Sequence, residues 1–330
     1  MLYIPNDNRD CYYNMAVEEY VFNELDPAKT YILLWQNDPT IVVGRFQNTI
    51  EEVNKDFILE RGIKVVRRLS GGGAVYHDRG NLNFTFIEPR TLGTDTAFEF
   101  FTQPVIAALK GLGLDAAFSS RNDITVDNKK VSGNAQYMTS TRVLHHGTLL
   151  VDTDFSILAQ ALRVKPDKIA SKGIKSVRSR VANICDFLDQ PITMEQLKQH
   201  LLKHIFGNRP VQTYNLSPAD KKRIRWLAQH KYSTWDWVWG RSPKYNFQNG
   251  KRFDAGRVEV RLDIHRGRIA QAKIYGDFFG HKNIAEVEQR LGGIRFEPED
   301  IRSTLSSLKL AEFFGPISLD ELMTLFQVAG

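Results

Sequence analysis

Three consecutive glycines, Gly71 to Gly73, directly follow the apolar run IKVVRR at residues 63–68. A glycine triplet costs much backbone entropy, so it favours a loop that needs positive φ and has no room for Cβ atoms. Such a loop presents successive backbone N–H groups to an anion, and Arg67 and Arg68 carry guanidinium groups that pair with phosphate oxygens. The motif RRLSGGGAVYHD therefore predicts a phosphate-binding loop; the alternative is a glycine-rich hairpin with surface arginines.

This loop differs from the two common nucleotide-binding loops. The chain contains no G-x-x-x-x-G-K-[ST] sequence, so a P-loop is excluded. The nominal G-x-G-x-x-A formed by Gly111, Gly113 and Ala116 follows a predicted helix, whereas a dinucleotide-binding fingerprint follows a strand. It is interpreted as a helix end and a turn.

Helical and strand-like patterns alternate along the 330 residues, a length that favours two domains. Because several strands form hairpin-like pairs, we predict an α/β (α+β) fold with mixed sheets and flanking helices. Residues 242–256 contain Pro, Gly and Asn and read as a linker, which gives a large domain at 1–246 and a small α+β domain at 247–330. Helices are predicted at 14–25, 51–61, 95–112 (with a kink or late start at Pro104), 154–162, 193–206, 217–230, 283–291, 298–308 and 318–327. Strands are predicted at 31–35, 40–44, 63–68, 81–88, 122–126, 129–132, 143–151, 256–265 and 268–278.

Composition narrows the class of protein. The apolar share is 42% and the charged share 25%, which is typical of a soluble globular chain. No apolar run has the length of a membrane span, and the N-terminus lacks the features of a signal peptide. Cys11 and Cys185 are too few for a disulfide framework, so we expect a reducing, cytoplasmic location and no membrane association.

The basic charge is concentrated in one segment. Residues 163–180 contain seven Lys or Arg and one Asp, which gives 7 − 1 = +6, the net charge of the whole chain. A local basic surface predicts an anionic partner such as a nucleotide, a nucleic acid or an acidic protein. The alternative is a solvated loop and helix face.

Two further motifs carry candidate chemistry. RNDITVDNKKVSGNAQ, from Arg121 to Gln136, places Lys130 before small residues, where its charge can neutralise a phosphate or carboxylate, unless it is a plain exposed hairpin lysine. LHHGTLLVD, from Leu144 to Asp152, suggests a strand that enters a pocket. Metal ligation has little support because no third ligand lies at metal-site spacing. The pair His200 and His204 is interpreted as an exposed helical face.

Taken in order, RRLSGGGAVYHD, RNDITVDNKKVSGNAQ, HHGTLLVD and SKGIKSVRSRVANI resemble the lipoate–protein ligase A family. The resemblance runs from NMAVEEYVF (14–22) through GRFQN (44–48) to TWDWVWG (234–240), about three quarters of the chain, and a C-terminal accessory domain also fits bacterial members. It implies a large catalytic domain like those of biotin ligases and class II aminoacyl-tRNA synthetases. It also implies two reaction steps: lipoate and ATP give lipoyl-AMP and pyrophosphate, and a lysine of an acceptor domain then takes the lipoyl group and releases AMP.

The resemblance also implies roles for particular residues, partners and cofactors. Lys130 is expected to be catalytic and to contact the nucleotide phosphate and the lipoyl carboxylate. Magnesium is expected with ATP, with ligands that the sequence does not identify. The acceptors implied are 2-oxoacid dehydrogenase E2 subunits and the glycine cleavage H protein, and a monomer is expected. The substrate-binding residues implied are Arg68, Ser70, Gly71, Gly72, Gly73, Ala74, Val75, Tyr76, His77, Asn122, Asp123, Lys130, His146, Gly147 and Thr148, with Asn122 and Asp123 on the adenine side.

Three other classes of protein fit the sequence less well. Octanoyltransferases and lipoyl-amidotransferases of the same superfamily use a cysteine nucleophile and no ATP, and HHGTLLVD contains no cysteine. A biotin ligase would carry a G-R-G-R-x-x-x-x-W-like loop, whereas this chain has only Gly44–Arg45–Phe46. A non-catalytic RNA-binding protein would interleave aromatic residues with the basic ones for base stacking, and residues 163–180 contain none.

Overall fold

A computed structural model describes residues 1–90, 97–119, 122–162, 180–207, 209–240, 246–265 and 267–326. The predicted basic segment 163–180 therefore lies outside the described residues except for Arg180. The first part of the helix predicted at 95–112 also lies outside them.

The larger sheet has seven strands, which cross the molecule in the order β1-β2-β6-β10-β9-β8-β7. Its strands are β1 (Leu2–Pro5), β2 (Tyr31–Trp35), β6 (Asn81–Pro89), β7 (Ala116–Ser119), β8 (Asp123–Val126), β9 (Lys129–Met138) and β10 (Arg142–Leu150). Strand β1 pairs with β2 in parallel, and the other neighbouring strands are antiparallel. The prediction of a mixed sheet is confirmed.

Both faces of this sheet are covered, which explains the continuous apolar run YILLW in β2. Because successive side chains point to opposite faces, Ile32 and Leu34 enter one core and Leu33 and Trp35 enter the other. The helices Phe98–Gly111 and Met194–Phe206 pack on the first face, and the helices Cys11–Glu24 and Pro218–Leu227 pack on the second.

A smaller three-stranded sheet holds the glycine loop. It has the order β4-β3-β5, with β3 (Thr40–Val43) parallel to β4 (Lys64–Arg67) and antiparallel to β5 (Val75–His77). The glycine triplet lies between β4 and β5. The sequence predicted the first of these two strands, directly before the triplet. Strand β5 was not predicted, because only three residues form it.

The C-terminal unit corrects one sequence interpretation. Part of the predicted linker, Phe247–Phe253, is strand β11, which pairs antiparallel with β12 (Gly256–His265); β12 in turn pairs with β13 (Arg268–Gly276). Strand β11 lies at the edge of its sheet and carries polar, partly exposed side chains. It therefore lacks the apolar alternation by which sequence analysis identifies a strand. The unit is completed by short helices at Ala285–Leu291, Pro298–Ser306, Leu310–Phe314 and Leu319–Met323.

Two helix predictions also need correction. The helix predicted at 95–112 contains Pro104 in its interior and begins at Phe98, so the proline does not delay its start. His200 and His204 are half-buried against that helix rather than exposed, and the His200 ring nitrogen lies 2.8 Å from the Ala108 carbonyl oxygen. The remaining helices are Thr49–Glu52, Lys55–Glu60, Phe155–Ala161 and Trp235–Val238, a π-helical turn at Ala228–Tyr232, and 3₁₀ turns at Ile184–Phe187 and Thr324–Phe326.

The C-terminal unit packs directly on the glycine loop and its neighbours. Phe46 and Phe278 stack with ring centroids 4.8 Å apart, and the Gly276 N–H donates to the Phe46 carbonyl at 2.8 Å. Phe279 approaches the loop at Gly72. In the part of the chain described here, no helix has the length and apolarity needed to cross a membrane.

Candidate active site

The glycine loop brings backbone and guanidinium groups to one end of a pocket. Gly72 has a φ of +89°, and a Cβ there would lie 2.9 Å from Arg68 Nη2. Arg68 Nη2 donates to the carbonyl oxygens of Gly71 at 2.7 Å and Gly73 at 2.8 Å, so the guanidinium holds the loop closed. Burial lowers the pKa of Arg68 to about 10, and the charge of Glu18 opposes this shift, so the group keeps its positive charge at neutral pH.

Arg67 has a different environment. Its guanidinium donates to the carbonyl oxygens of Gly44, Arg45 and Gln47 and lies on the far side of β4. It is 1% exposed and does not line the pocket. Because neighbouring side chains in a strand point in opposite directions, only one of the two arginines in the motif can face a ligand. That residue is Arg68.

The pocket joins the motifs that the sequence singled out. Its floor is formed by strands of the larger sheet, and its wall is formed by the glycine loop and β5. It is lined by Met15, Trp35, Val42, Arg68, Gly72, Gly73, Ala74, Val75, His77, Asn83, Asn122, Lys130, Gly133, Asn134, Ala135, His146, Gly147 and Thr148.

Lys130 lies near the start of β9 and forms an ion pair with Asp123 at 2.7 Å. The hairpin turn that places it has positive φ at Asp127 (48°) and Asn128 (61°), the backbone of a tight two-residue turn. Strand alternation directs Lys130 to the pocket, while Lys129 is exposed. Asp123 and Lys130 thus form an ion pair beside the cavity, and the three N–H donors of the ammonium allow it to contact an anionic ligand as well as this carboxylate.

A chain of buried hydrogen bonds supports Arg68 from below. Arg68 Nε donates to Ser70 Oγ at 2.9 Å, and Ser70 Oγ lies 2.7 Å from His146 Nε2. The other ring nitrogen, His146 Nδ1, lies 3.0 Å from the Glu18 carboxylate. The Glu18 carboxylate has no hydrogen to donate, so it accepts from His146 Nδ1–H and is the final acceptor of the chain.

A second branch reaches the same carboxylate. Trp35 Nε1 donates to Thr85 Oγ1 at 2.9 Å, and Thr85 Oγ1 donates to Glu18 Oε1 at 2.6 Å. The Ser70–His146–Glu18 arrangement resembles a nucleophile with its base and orienting acid. However, Ser70 is 1% exposed and does not line the pocket, so the arrangement positions Arg68 and is not an exposed nucleophile.

Several predicted residues are not pocket-lining. Ser70 and Gly71 are buried at the start of the loop and do not line the pocket, and Asp123 reaches the site through its ion pair with Lys130. Tyr76 points away from the pocket because it alternates with Val75 and His77, and it packs in a separate core with Ile41, Val43 and Val65. Sequence reasoning missed Glu18, Met15 and Trp35. The helical spacing of Met15 and Glu18, which places them on one face, is the signal that could have linked this pair.

The described residues also bear on metal ions and cysteine chemistry. Among them, no group of three or more His, Cys, Asp or Glu side chains is arranged to hold a metal ion. Neither cysteine lines the pocket. Burial raises the pKa of Cys11 to about 12 and also raises that of Cys185, so neither is a ready thiolate. This disfavours the cysteine-dependent transferases.

A family model described as the lipoyl protein ligase A/B catalytic domain matches residues 10–206, and one described as the bacterial lipoate protein ligase C-terminus matches residues 242–326. Lipoate-protein ligase LplJ of Bacillus subtilis (strain 168) is 46% identical over 329 residues, which cover 98% of this chain and 99% of that protein.

Solved structures give the same match at the level of the fold. LipL1 of P. falciparum in complex with lipoate has a TM-score of 0.82 at 26% identity and covers 98% of each chain. A bi-partite lipoate protein ligase from Thermoplasma acidophilum, described with its E2 lipoyl domain, has a TM-score of 0.66 at 30% identity over 74% of this chain and 98% of that chain. A lipoate-protein ligase A bound with ATP has a TM-score of 0.64 at 27% identity over 72% of this chain and 98% of that one.

Proposed function

Because the chain belongs to the lipoate–protein ligase family, we propose that its pocket joins lipoate to AMP and then passes the lipoyl group to a lysine of an acceptor domain. The activity is the ATP-dependent attachment of lipoate to protein. The observation that carries the proposal is one cavity that is lined both by two cations, Arg68 and Lys130, and by the uncharged side chains of Met15, Trp35 and Val42. An acyl chain with an anionic head requires such a combination.

The first reaction step brings together two anions, the carboxylate of lipoate and the triphosphate of ATP. A carboxylate oxygen attacks the α-phosphorus, the bond from this phosphorus to the bridging oxygen breaks, and pyrophosphate leaves with the electron pair. Lys130 and Arg68, together with the N–H groups of the glycine loop, lie where positive potential would offset this repulsion and stabilise the developing charge.

In the second step the amine of an acceptor lysine attacks the lipoyl carbonyl carbon, loses a proton and displaces AMP. We propose lipoyl domains of E2 subunits and the glycine cleavage H protein as acceptors. The T. acidophilum relative that is described with its E2 lipoyl domain supports the E2 part of this choice. The basic segment 163–180 is proposed to steer an acidic acceptor by long-range attraction.

Other parts of the proposal concern the setting of the reaction. Magnesium is proposed to bind with ATP mainly through phosphate oxygens, because this ion retains waters and uses few protein carboxylates. Cys11 and Cys185 are both free thiols, which agrees with a reducing, cytoplasmic setting. We further propose a monomer with a catalytic domain at 1–246 and an accessory domain at 247–330.

The test is pyrophosphate release from ATP in the presence of lipoate and Mg²⁺, without an acceptor protein. Wild-type protein should release pyrophosphate and retain lipoyl-AMP. Lys130→Ala should slow this release by about 10²–10³-fold, the usual cost of removing one preorganised electrostatic partner. Lys129→Ala is the matched control, because that lysine precedes Lys130 in β9 and is exposed. No release by the wild type would refute adenylation, and equal losses in two folded variants would refute the role of Lys130.

A further inference from the structure

The imidazole of His77 carries a buried nitrogen that the protein leaves without a partner. His77 is 3% exposed and lines the pocket, and within the described chain its Nε2 accepts or donates no hydrogen bond. A buried polar atom of this kind costs stability unless a ligand or a water satisfies it. Because the atom belongs to a pocket-lining side chain, a bound molecule can satisfy it.

A relay of asparagines determines which ring nitrogen of His77 carries the proton. Asn14 Nδ2 donates to Asn37 Oδ1 at 2.9 Å, so the oxygen of Asn37 faces away from the ring. The amide nitrogen of Asn37 then faces His77 Nδ1 at 3.1 Å and donates to it. A neutral imidazole that accepts at Nδ1 carries its hydrogen at Nε2. The unpartnered nitrogen of His77 is therefore an N–H donor.

The ring also stays neutral. Burial is the main cause that lowers the pKa of His77 to about 3, and the positive charge of Arg68 acts in the same direction. At neutral pH the pocket therefore sees one N–H donor and no imidazolium charge. A neutral donor suits a weak, uncharged acceptor.

The donor lies at the end of the pocket that is remote from Lys130. Lys130 is on β9, whereas Trp35, whose ring centroid lies 6.1 Å from that of His77, ends β2. In the order β2-β6-β10-β9 these strands are three spacings apart, about 14 Å at ~4.8 Å each. That distance is comparable with the length of an extended eight-carbon acyl chain. A ligand whose carboxylate meets Lys130 therefore brings its far end to His77.

The other polar groups at this end are already engaged. Trp35 Nε1 donates to Thr85 Oγ1, and Asn83 Nδ2 donates to the Trp35 carbonyl at 3.3 Å. Asn83 Oδ1 accepts from Asn81 Nδ2 at 3.0 Å. Among the described residues that line this end, His77 thus supplies a donor nitrogen that has no hydrogen-bond partner in the protein.

We propose that His77 Nε2–H donates to a sulfur of the dithiolane ring and that this contact makes the pocket prefer lipoate to an acyl chain without sulfur. The proposal rests on the proposed function. A methyl terminus fills the same space but offers no lone pair, so it leaves the buried donor unsatisfied. A thioether-like sulfur is a weak acceptor and removes part of that cost. His77 is then a specificity-determining residue for the acyl substrate.

Three acids distinguish the effect of the sulfur atoms on adenylation from the effect of the ring volume. They are lipoate, octanoate, and cyclopentylpentanoate, in which a carbon ring replaces the dithiolane. The rate of adenylation is measured as pyrophosphate release, and kcat/KM is compared between the three acids. For the wild type we expect lipoate to exceed cyclopentylpentanoate by about five- to tenfold. In His77→Phe, which keeps a ring but removes the donor, this ratio should approach one.

A second variant covers the case in which His77→Phe does not fold. His77→Gln retains an amide N–H at about the reach of Nε2 and should keep part of the preference for lipoate. The proposal is overturned if the wild type does not distinguish the two ring acids, or if His77→Phe keeps the wild-type ratio. If the wild type releases no pyrophosphate with any of the acids, the proposed function fails instead.

Discussion

Glu18 offers the sharpest test of how the site is built, because it lies beneath the pocket yet terminates the hydrogen-bond chain from Arg68. Glu18→Gln keeps the shape of the side chain but removes its charge and replaces one acceptor with a donor. The two groups that donate to the carboxylate, His146 Nδ1–H and Thr85 Oγ1–H, then compete for one oxygen. We expect the His146 ring to exchange its proton between nitrogens, so that Ser70 loses the acceptor for its own hydroxyl hydrogen.

The magnitude follows from the two hydrogen bonds that the substitution weakens. A hydrogen bond to a charged group contributes about 1 kcal/mol more than a neutral one, so two weakened bonds predict a fall of about 2 kcal/mol in the free energy of unfolding. Complete loss of one electrostatic partner costs about 10²–10³ in rate, and Arg68 is displaced here rather than removed, so we expect adenylation to slow by about tenfold. The effect should appear in kcat, since the carboxylate does not touch substrate.

The assays are urea unfolding and pyrophosphate release at saturating lipoate and ATP. Glu19→Gln is the matched control: its carboxylate is on the same helix and accepts from Lys231 Nζ at 2.7 Å and from the Tyr232 hydroxyl at 2.6 Å, away from the pocket. It should lose stability and keep its adenylation rate. If Glu18→Gln behaves like this control, the chain of hydrogen bonds is purely structural.

A double mutant identifies the route of the effect. If Glu18 acts through Arg68, the combination of Glu18→Gln with Arg68→Ala should adenylate no more slowly than Arg68→Ala alone. Independent, additive losses in the two single variants would refute a shared route.

Three further outcomes are expected. Gly73→Val should weaken ATP binding in calorimetry by about tenfold or more, because the added side chain projects into the free space that the loop offers to phosphate. The fold should be kept, because a Cβ at Gly73 meets no protein atom within 4 Å. Unchanged affinity would contradict the phosphate cradle. His77 has a pKa of about 3 in the folded chain and a usual value of 6.5 when unfolded, so the unfolded chain binds more protons between these two pH values. The contribution of His77 to the free energy of unfolding is therefore complete above pH 6.5 and is lost as the pH falls. Between pH 8 and pH 5 this loss should be about 2 kcal/mol larger in the wild type than in His77→Phe by urea unfolding, and equal losses would refute it. Replacing Lys172, Lys175 and Arg178 together with Gln should slow lipoyl transfer to the acceptor, reduce its salt dependence and spare pyrophosphate release; a loss confined to adenylation would exclude steering.

The sequence predicted correctly that the motifs lie together in one site, but it predicted the roles of individual residues less well. Arg68, Lys130 and His146 lie in segments far apart in the chain, yet all three line one pocket. The resemblance to a family made this expectation possible, because spacing alone does not bring a loop, a hairpin and a strand together. Strand alternation could have refined it: the period of two that selects Lys130 over Lys129 also turns Tyr76 away from the pocket.

Other features gave no signal that sequence reasoning could detect. Glu18 stands beside Glu19 in the predicted helix, and a pair of acids in a helix usually indicates a solvated face. Only the packing of that helix on the sheet shows that both carboxylates are engaged, one beneath Arg68 and the other by Lys231. Strand β11 was missed for a related reason, since an edge strand with polar side chains lacks an apolar period.

The glycine triplet shows why identical neighbours can be needed for different reasons. Gly71 is required for packing, because a Cβ there would collide with the Phe278 carbonyl oxygen of the C-terminal unit. Gly72 is required for conformation, since its φ is +89°, and a side chain would also meet Arg68 and the Phe279 ring at 3.1 Å. A substitution at either position therefore disturbs the contact between the two units as well as the loop. Gly73 alone of the three faces open space, so it is the position at which an added side chain tests ligand binding without testing the fold.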